Sequence, residues 1–131
     1  MPFIRKGFCG AEIHQIYEMK SSEVIKVAHT WSKQEKQVVW NAIGIYQYVE
    51  QQVAEIEQWA TVHHLHDVTE QVEVFHELCC PACQAKFFFE VLGIYTDRNQ
   101  TKTFNRMWQL FNEIERISPE AFNGALTEVS A

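Results

Sequence analysis

The residues best equipped for chemistry lie in one short run, His76-Glu77-Leu78-Cys79-Cys80-Pro81-Ala82-Cys83. Two thiolates three positions apart can grip one tetrahedral Zn²⁺, and an imidazole four positions upstream can reach the same ion. A closed structural site takes four ligands, so the last must come from a distant part of the chain. Cys9, set between Gly7 and Gly10, is the best candidate, because glycines let the backbone approach a ligand closely. The expected metal ligands are therefore Cys9, His76, Cys80 and Cys83, with His14 and His66 in reserve. Cys79, adjacent to Cys80, is expected to point away and pack. Such a zinc would be structural, pinning the N-terminal segment to the helix that starts after Cys80. The competing reading treats these cysteines as small apolar core residues.

The elements around this run are expected to be helices. Ser32-Lys33-Gln34-Glu35 fits a capping box, with the serine accepting a backbone N–H and the glutamate reaching back. After it, Val39, Ala42, Tyr46, Val49, Val53, Ile56 and Ala60 recur at alternating spacings of three and four, one apolar seam running to about His63. Asp67-Val68-Thr69-Glu70 repeats the capping signal in acidic form, and Val68, Val72, Phe75 and Cys79 continue at helical spacing. Pro81 suits the first turn of the next helix, where its missing N–H costs nothing. The free N–H groups of that turn would favour thiolates at Cys80 and Cys83.

That next helix carries Phe87, Phe88, Phe89, Val91, Leu92, Ile94 and Tyr95, apolar nearly all round, so it belongs at the centre or under a partner. Asp97-Arg98-Asn99 reads as a turn. Beyond it comes a helix from about Gln100 to Ile117, with Phe104, Met107, Trp108, Phe111 and Ile114 on its apolar face. Ser118-Pro119-Glu120 would open a short last helix. The first thirty residues fit two readings. Ile13, Tyr17, Lys20, Val24, Val27 and Trp31 lie on one helical stripe, but Glu23–Ala28 also suits a strand, with Lys20-Ser21-Ser22-Glu23 as a hairpin turn.

The order His76-x₃-Cys80-x₂-Cys83 resembles the ligand spacing of zinc-binding anti-sigma domains, small helical proteins that sequester a sigma factor. The resemblance implies that a zinc ion can sit between two helices. It covers this short run alone. Where that family carries a further ligand upstream, this chain has the Val39–Ala60 stretch, with no cysteine or histidine.

Other constellations are weaker. His63 and His66 would face Asp67 and Glu70 on a continuous helix, a metal or acid–base geometry that more often marks a solvated helix–helix joint around His63, His64 and His66. Glu73-x-x-His76 matches one element of the di-iron bundles but lacks the second that those sites need. Cys80-Pro81-Ala82-Cys83 has the form of a dithiol-exchange motif, with Val72–Phe75 as its strand, but the chain beyond residue 97 offers a helix and a tail in place of further strands. Arg98, Lys102 and Arg106 make a basic stripe beside Trp108. It could dock an acidic partner or a phosphate, though such a stripe is usually the wet side of an amphipathic helix. Trp31, Trp40 and Trp59 read as core and edge packing.

The chain has 131 residues, 47% of them apolar and 13% aromatic, enough for one ordinary domain with a sizeable core. The expected fold is mostly α, a compact bundle of five to six helices, with residues 1–31 as an N-terminal segment, 32–126 as the bundle and 127–131 as a frayed tail. The N-terminus has no apolar stretch of the signal-peptide kind, and no apolar run approaches a membrane span. Four cysteines in that context point to a reducing cytosol, where thiols serve as ligands, sensors or core residues.

A net charge of −6 argues against binding to nucleic acid as the main activity, and on charge grounds a protein surface is the favoured partner. No glycine-rich phosphate loop and no Gly-x-Ser-x-Gly element is present. These features together imply a small cytosolic, non-enzymatic protein-binding regulator or inhibitor, a profile shared by small bacterial and phage regulators. The alternative is a metal-dependent or thiol-redox enzyme or sensor using His63, His66, His76, Cys80 and Cys83. The apolar Phe87–Tyr95 and Val39–Ala60 faces are also compatible with a homodimer.

Overall fold

A computed structural model describes residues 10–78, 80–99, 102–117 and 122. Among these the chain forms six α-helices, α1 (Gly10–Glu18), α2 (Ser21–Ala28), α3 (Lys33–Val62), α4 (His66–Glu77), α5 (Pro81–Glu90) and α6 (Lys102–Ile117), and no strand. A 3₁₀ helix, Leu92–Asn99, joins α5 to α6. The mostly α bundle expected from the sequence is the fold observed.

The spine is α3, 30 residues long and so about 45 Å from end to end. Its start is the expected capping box: Glu35 N–H donates to Ser32 Oγ at 3.0 Å, and Ser32 N–H donates to Glu35 Oε1 at 2.7 Å. All seven seam residues, from Val39 to Ala60, are buried, joined by Val38 and Ile45. Burying a Val or Ile removes enough apolar surface to stabilise by about 1.5–3 kcal/mol, so this one face can organise the rest. Around it pack α1, α4, α5, α6 and the 3₁₀ helix.

The α3–α4 joint is a Schellman turn. His64 takes a left-handed conformation, φ 56°; its N–H donates to Thr61 O, and Leu65 N–H donates back to Ala60 O at 2.9 Å. The helix therefore stops, and α4 returns along α3 with Val68, Val72 and Phe75 buried. The acidic capping signal is not used as expected. The cap residue is Leu65, without a side-chain bond, and Asp67 lies inside the first turn.

Two helices, not a hairpin, occupy the N-terminal part of the described chain. Glu23 reaches back to the Lys20 N–H at 3.2 Å, which turns the supposed hairpin corner into the start of α2. The long apolar stripe is divided by the break at Met19–Lys20, leaving Ile13, Ile16 and Val24 buried but Val27 exposed.

The apolar helix after Pro81 is central, as expected, touching α1, α3, α4 and the 3₁₀ helix. It ends earlier than its composition suggests. Val91 closes α5 and the chain tightens into 3₁₀ form, with Gly93 pressed against Phe88 and Phe104. Of the segment expected to form a last helix, residues 118–121 lie outside the described structure; Phe122 is described, and it is buried.

Candidate functional site

Cys80 caps α5 from an extended backbone, φ −153° and ψ 159°, with Pro81 at the first helical position. Its carbonyl accepts the Gln84 N–H at 3.0 Å, which closes the first turn and brings Cys83 beneath it. The two sulfurs lie 3.6 Å apart, and both cysteines are buried. Two thiolates about 2.3 Å from one tetrahedral ion sit roughly 3.8 Å from each other, so the pair already spans one edge of such a site. The turn is anchored: Gln84 Nε2 donates to Phe75 O at 3.3 Å, and the same carbonyl receives Leu78 N–H at 3.2 Å.

His76 is not brought to the thiols. Its Nε2 lies 3.4 Å from Glu57 Oε1, linking α4 to α3 at the surface, and its ring meets Phe75 edge-on. The expected reach put His76 in the last turn of one helix and the thiols on the first turn of the next. Both placements hold, but Leu78 and Cys80 are extended and the His76 ring meets Glu57 instead. Among the described residues no three His, Cys, Asp or Glu side chains gather into a metal-binding group.

The expected fourth ligand, Cys9, lies outside the described residues, as does Cys79. The helix that begins at Gly10 packs against α5. His66 is exposed at the start of α4, and the side chain of His14 is outside the described part. His63 and His64 form the turn that ends α3, so the helical pairing of His63 with Asp67 does not arise. Glu73 is exposed beside no second Glu-x-x-His. Lys102 and Arg106 are exposed on α6, while the Arg98 side chain is outside the described part.

A second feature escaped the sequence reading. An open cleft of about 400 Å³ lies between α1, α2 and α3. Its apolar walls are Ile16, Met19, Val24, Ile25, Trp40 and Ile43; Tyr17, Ser21 and Gln47 complete it, and none of the nine is charged. Ile25 is 63% exposed and Trp40 49%, so two large apolar side chains stand at the edge of one concavity. The other exposed apolar residues, among them Val62, Val74 and Ile94, line no part of it. The signal was there in α3: Trp40, Ile43 and Gln47 lie one position beyond seam residues Val39, Ala42 and Tyr46, a second face out of phase with the core.

Tyr17 braces the cleft. Its hydroxyl donates to Glu50 Oε1 at 2.8 Å, and its ring meets Tyr46 edge-on at 5.4 Å. Burial pushes its phenol up to about 12, helped by the hydrogen bond to Glu50 and that residue's negative charge. The tie holds α1 against α3 and so fixes one wall.

The chain matches no protein-family model, no curated protein and no solved structure. No helix among the described residues is long and apolar enough to cross a membrane.

Proposed function

We propose that this chain is a non-enzymatic, cytosolic protein-binding regulator or inhibitor that docks through the α1–α2–α3 cleft. The observation that carries this reading is the uncharged cleft with Ile25 and Trp40 exposed at its edge. Large apolar side chains around a concavity mark a binding surface, whereas single ones scattered elsewhere do not. The occupant is an amphipathic helix of another protein, which would lay its apolar side chains into such a groove. The net charge of −6 favours a helix whose polar side is basic.

The experiment places a photo-crosslinking residue at Ile25, at Trp40 and, as a control, at exposed Gln109 on α6. Each version is irradiated in extract from the native host. The expected result is one adduct shared by the two cleft positions, absent from the control and mapping to an apolar–basic helix in the captured protein. Adducts from the control alone, or none from the cleft, would overturn the reading.

A structural zinc at Cys80 and Cys83 belongs to the same proposal. It is supported by the sulfur spacing and by the packing of α1 on α5, the helix bearing the thiols. Chain purified without chelator should carry about one zinc per chain, lost in the C80S/C83S double variant. Zinc content that is negligible in the parent would remove this part and leave the docking reading intact.

A further inference from the structure

The structure assigns Cys80 and Cys83 as a reversible dithiol–disulfide couple, oxidised by hydroperoxides and restored by small thiols. This inference stands on the geometry of the pair and needs neither the docking reading nor a bound metal.

The two cysteines occupy the cap and the third position of one helical turn, a separation of about 5 Å between α-carbons in helical geometry, which falls inside the range a disulfide spans. Their sulfurs are already in contact at 3.6 Å. Closing to bonding distance therefore needs rotation of the two side chains and no displacement of α4, α3 or α1. Pro81 holds the turn in helical form before the bond is made.

Access selects the oxidant. Cys80 is 6% and Cys83 7% exposed, whereas Ala82 and Ala85 beside them show no exposed surface. So small an exposure suits a molecule the size of hydrogen peroxide better than a peptide disulfide. In the first step one sulfur attacks a peroxide oxygen; an S–O bond forms, the O–O bond breaks, and the departing hydroxide takes the thiol proton as water. In the second, the neighbouring sulfur attacks the sulfenic sulfur; the S–S bond forms, the S–O bond breaks, and a second water leaves. Two thiols and one hydrogen peroxide thus become one disulfide and two waters, with the sulfurs losing the two electrons that the peroxide gains. Two molecules of a small thiol reverse the change, leaving as their own disulfide.

The resolving sulfur is what separates this pair from an ordinary buried thiol. A sulfenic acid with a partner in contact is captured before it can be oxidised further; one without is not. Because the bond would close within a single turn, it links no two helices and leaves the bundle as it is.

The test uses the full chain, stripped of metal by chelator, treated with hydrogen peroxide and then mapped by mass spectrometry. The expected product has lost two hydrogens, carries a Cys80–Cys83 link, keeps its helical circular dichroism and returns to the fully reduced thiols with dithiothreitol. In C80S and in C83S the remaining cysteine should progress to sulfinic acid at least about tenfold faster than in the parent, since its resolving partner is gone. If a single variant does not fold, the parent's map decides alone. Cys80 and Cys83 that stay reduced, pass to sulfinic acid without pairing, or pair with Cys9 or Cys79 instead would overturn the assignment.

Discussion

Tyr17 shows how much one side chain can carry. It lines the cleft, meets Tyr46 edge-on and donates to Glu50 across the α1–α3 boundary. Its phenol is raised from 10.0 to about 12, so the folded state holds the proton more tightly than the unfolded chain does. The stabilisation from that difference is complete below pH 10 and is lost as pH rises through about 12. Tyr48 behaves alike, raised to about 12 by burial and then by the charge of Glu55. Y17F should cost about 0.5–1.5 kcal/mol at neutral pH, the net worth of one hydrogen bond. It should also flatten the alkaline loss of stability between pH 10 and pH 12, read as urea midpoints across that window. Parallel curves for parent and variant would show that the Glu50 contact does not set the alkaline limit.

His76 makes the opposite point about single residues. Its type and spacing were plain in the sequence, but its partner, Glu57, lies on another helix and carries no local signal. The Cys80–Cys83 contact was legible because both residues belong to one turn. The surroundings of His76 were not, because no local pattern shows that its ring meets Glu57 of α3 rather than the thiols.

The same distinction holds for elements. The α3 seam and its capping box were readable because both depend on residues within a turn or two of each other. The early end of α5 was not, because it reflects Gly93 lying against Phe104 on a later helix. These two helical glycines offer a paired test. A β-carbon at Gly44, inside α3, would meet nothing within 4 Å, so G44A should stabilise by about 0.5–1 kcal/mol through the unfolded chain's lost freedom. At Gly93 the added carbon would come 3.2 Å from the Phe104 ring and 3.2 Å from the Phe88 carbonyl. That ring is itself held by Phe88 and Phe89, so it has little room to yield. G93A should therefore destabilise by about 1–3 kcal/mol. Thermal melts of the two variants should move in opposite directions; a shared direction would mean that helix propensity outweighs the packing at Gly93.

At the scale of the whole molecule, closure of the bundle depends on a row of rings that crosses it. Phe89 meets Phe111 at a tilt, 4.8 Å between centroids, Phe111 meets Phe122 at 4.5 Å, and Phe122 meets Tyr46 edge-on at 6.2 Å, with Tyr17 beyond. The row joins α5, α6, α3 and α1, and Phe122, 1% exposed, is the member contributed from beyond α6. F122A removes that ring from a filled site and should cost about 3–5 kcal/mol. Domains of this size are stable by only about 5–15 kcal/mol, so the variant should melt at least about 10 °C lower than the parent. F122L refills much of the volume but forfeits ring–ring contacts worth about 0.5–1.5 kcal/mol each, and it should fall between the two. The order parent, F122L, F122A in thermal midpoint would show that the ring itself closes the core. Equal midpoints for parent and F122A would mean that α3, α5 and α6 hold together without it.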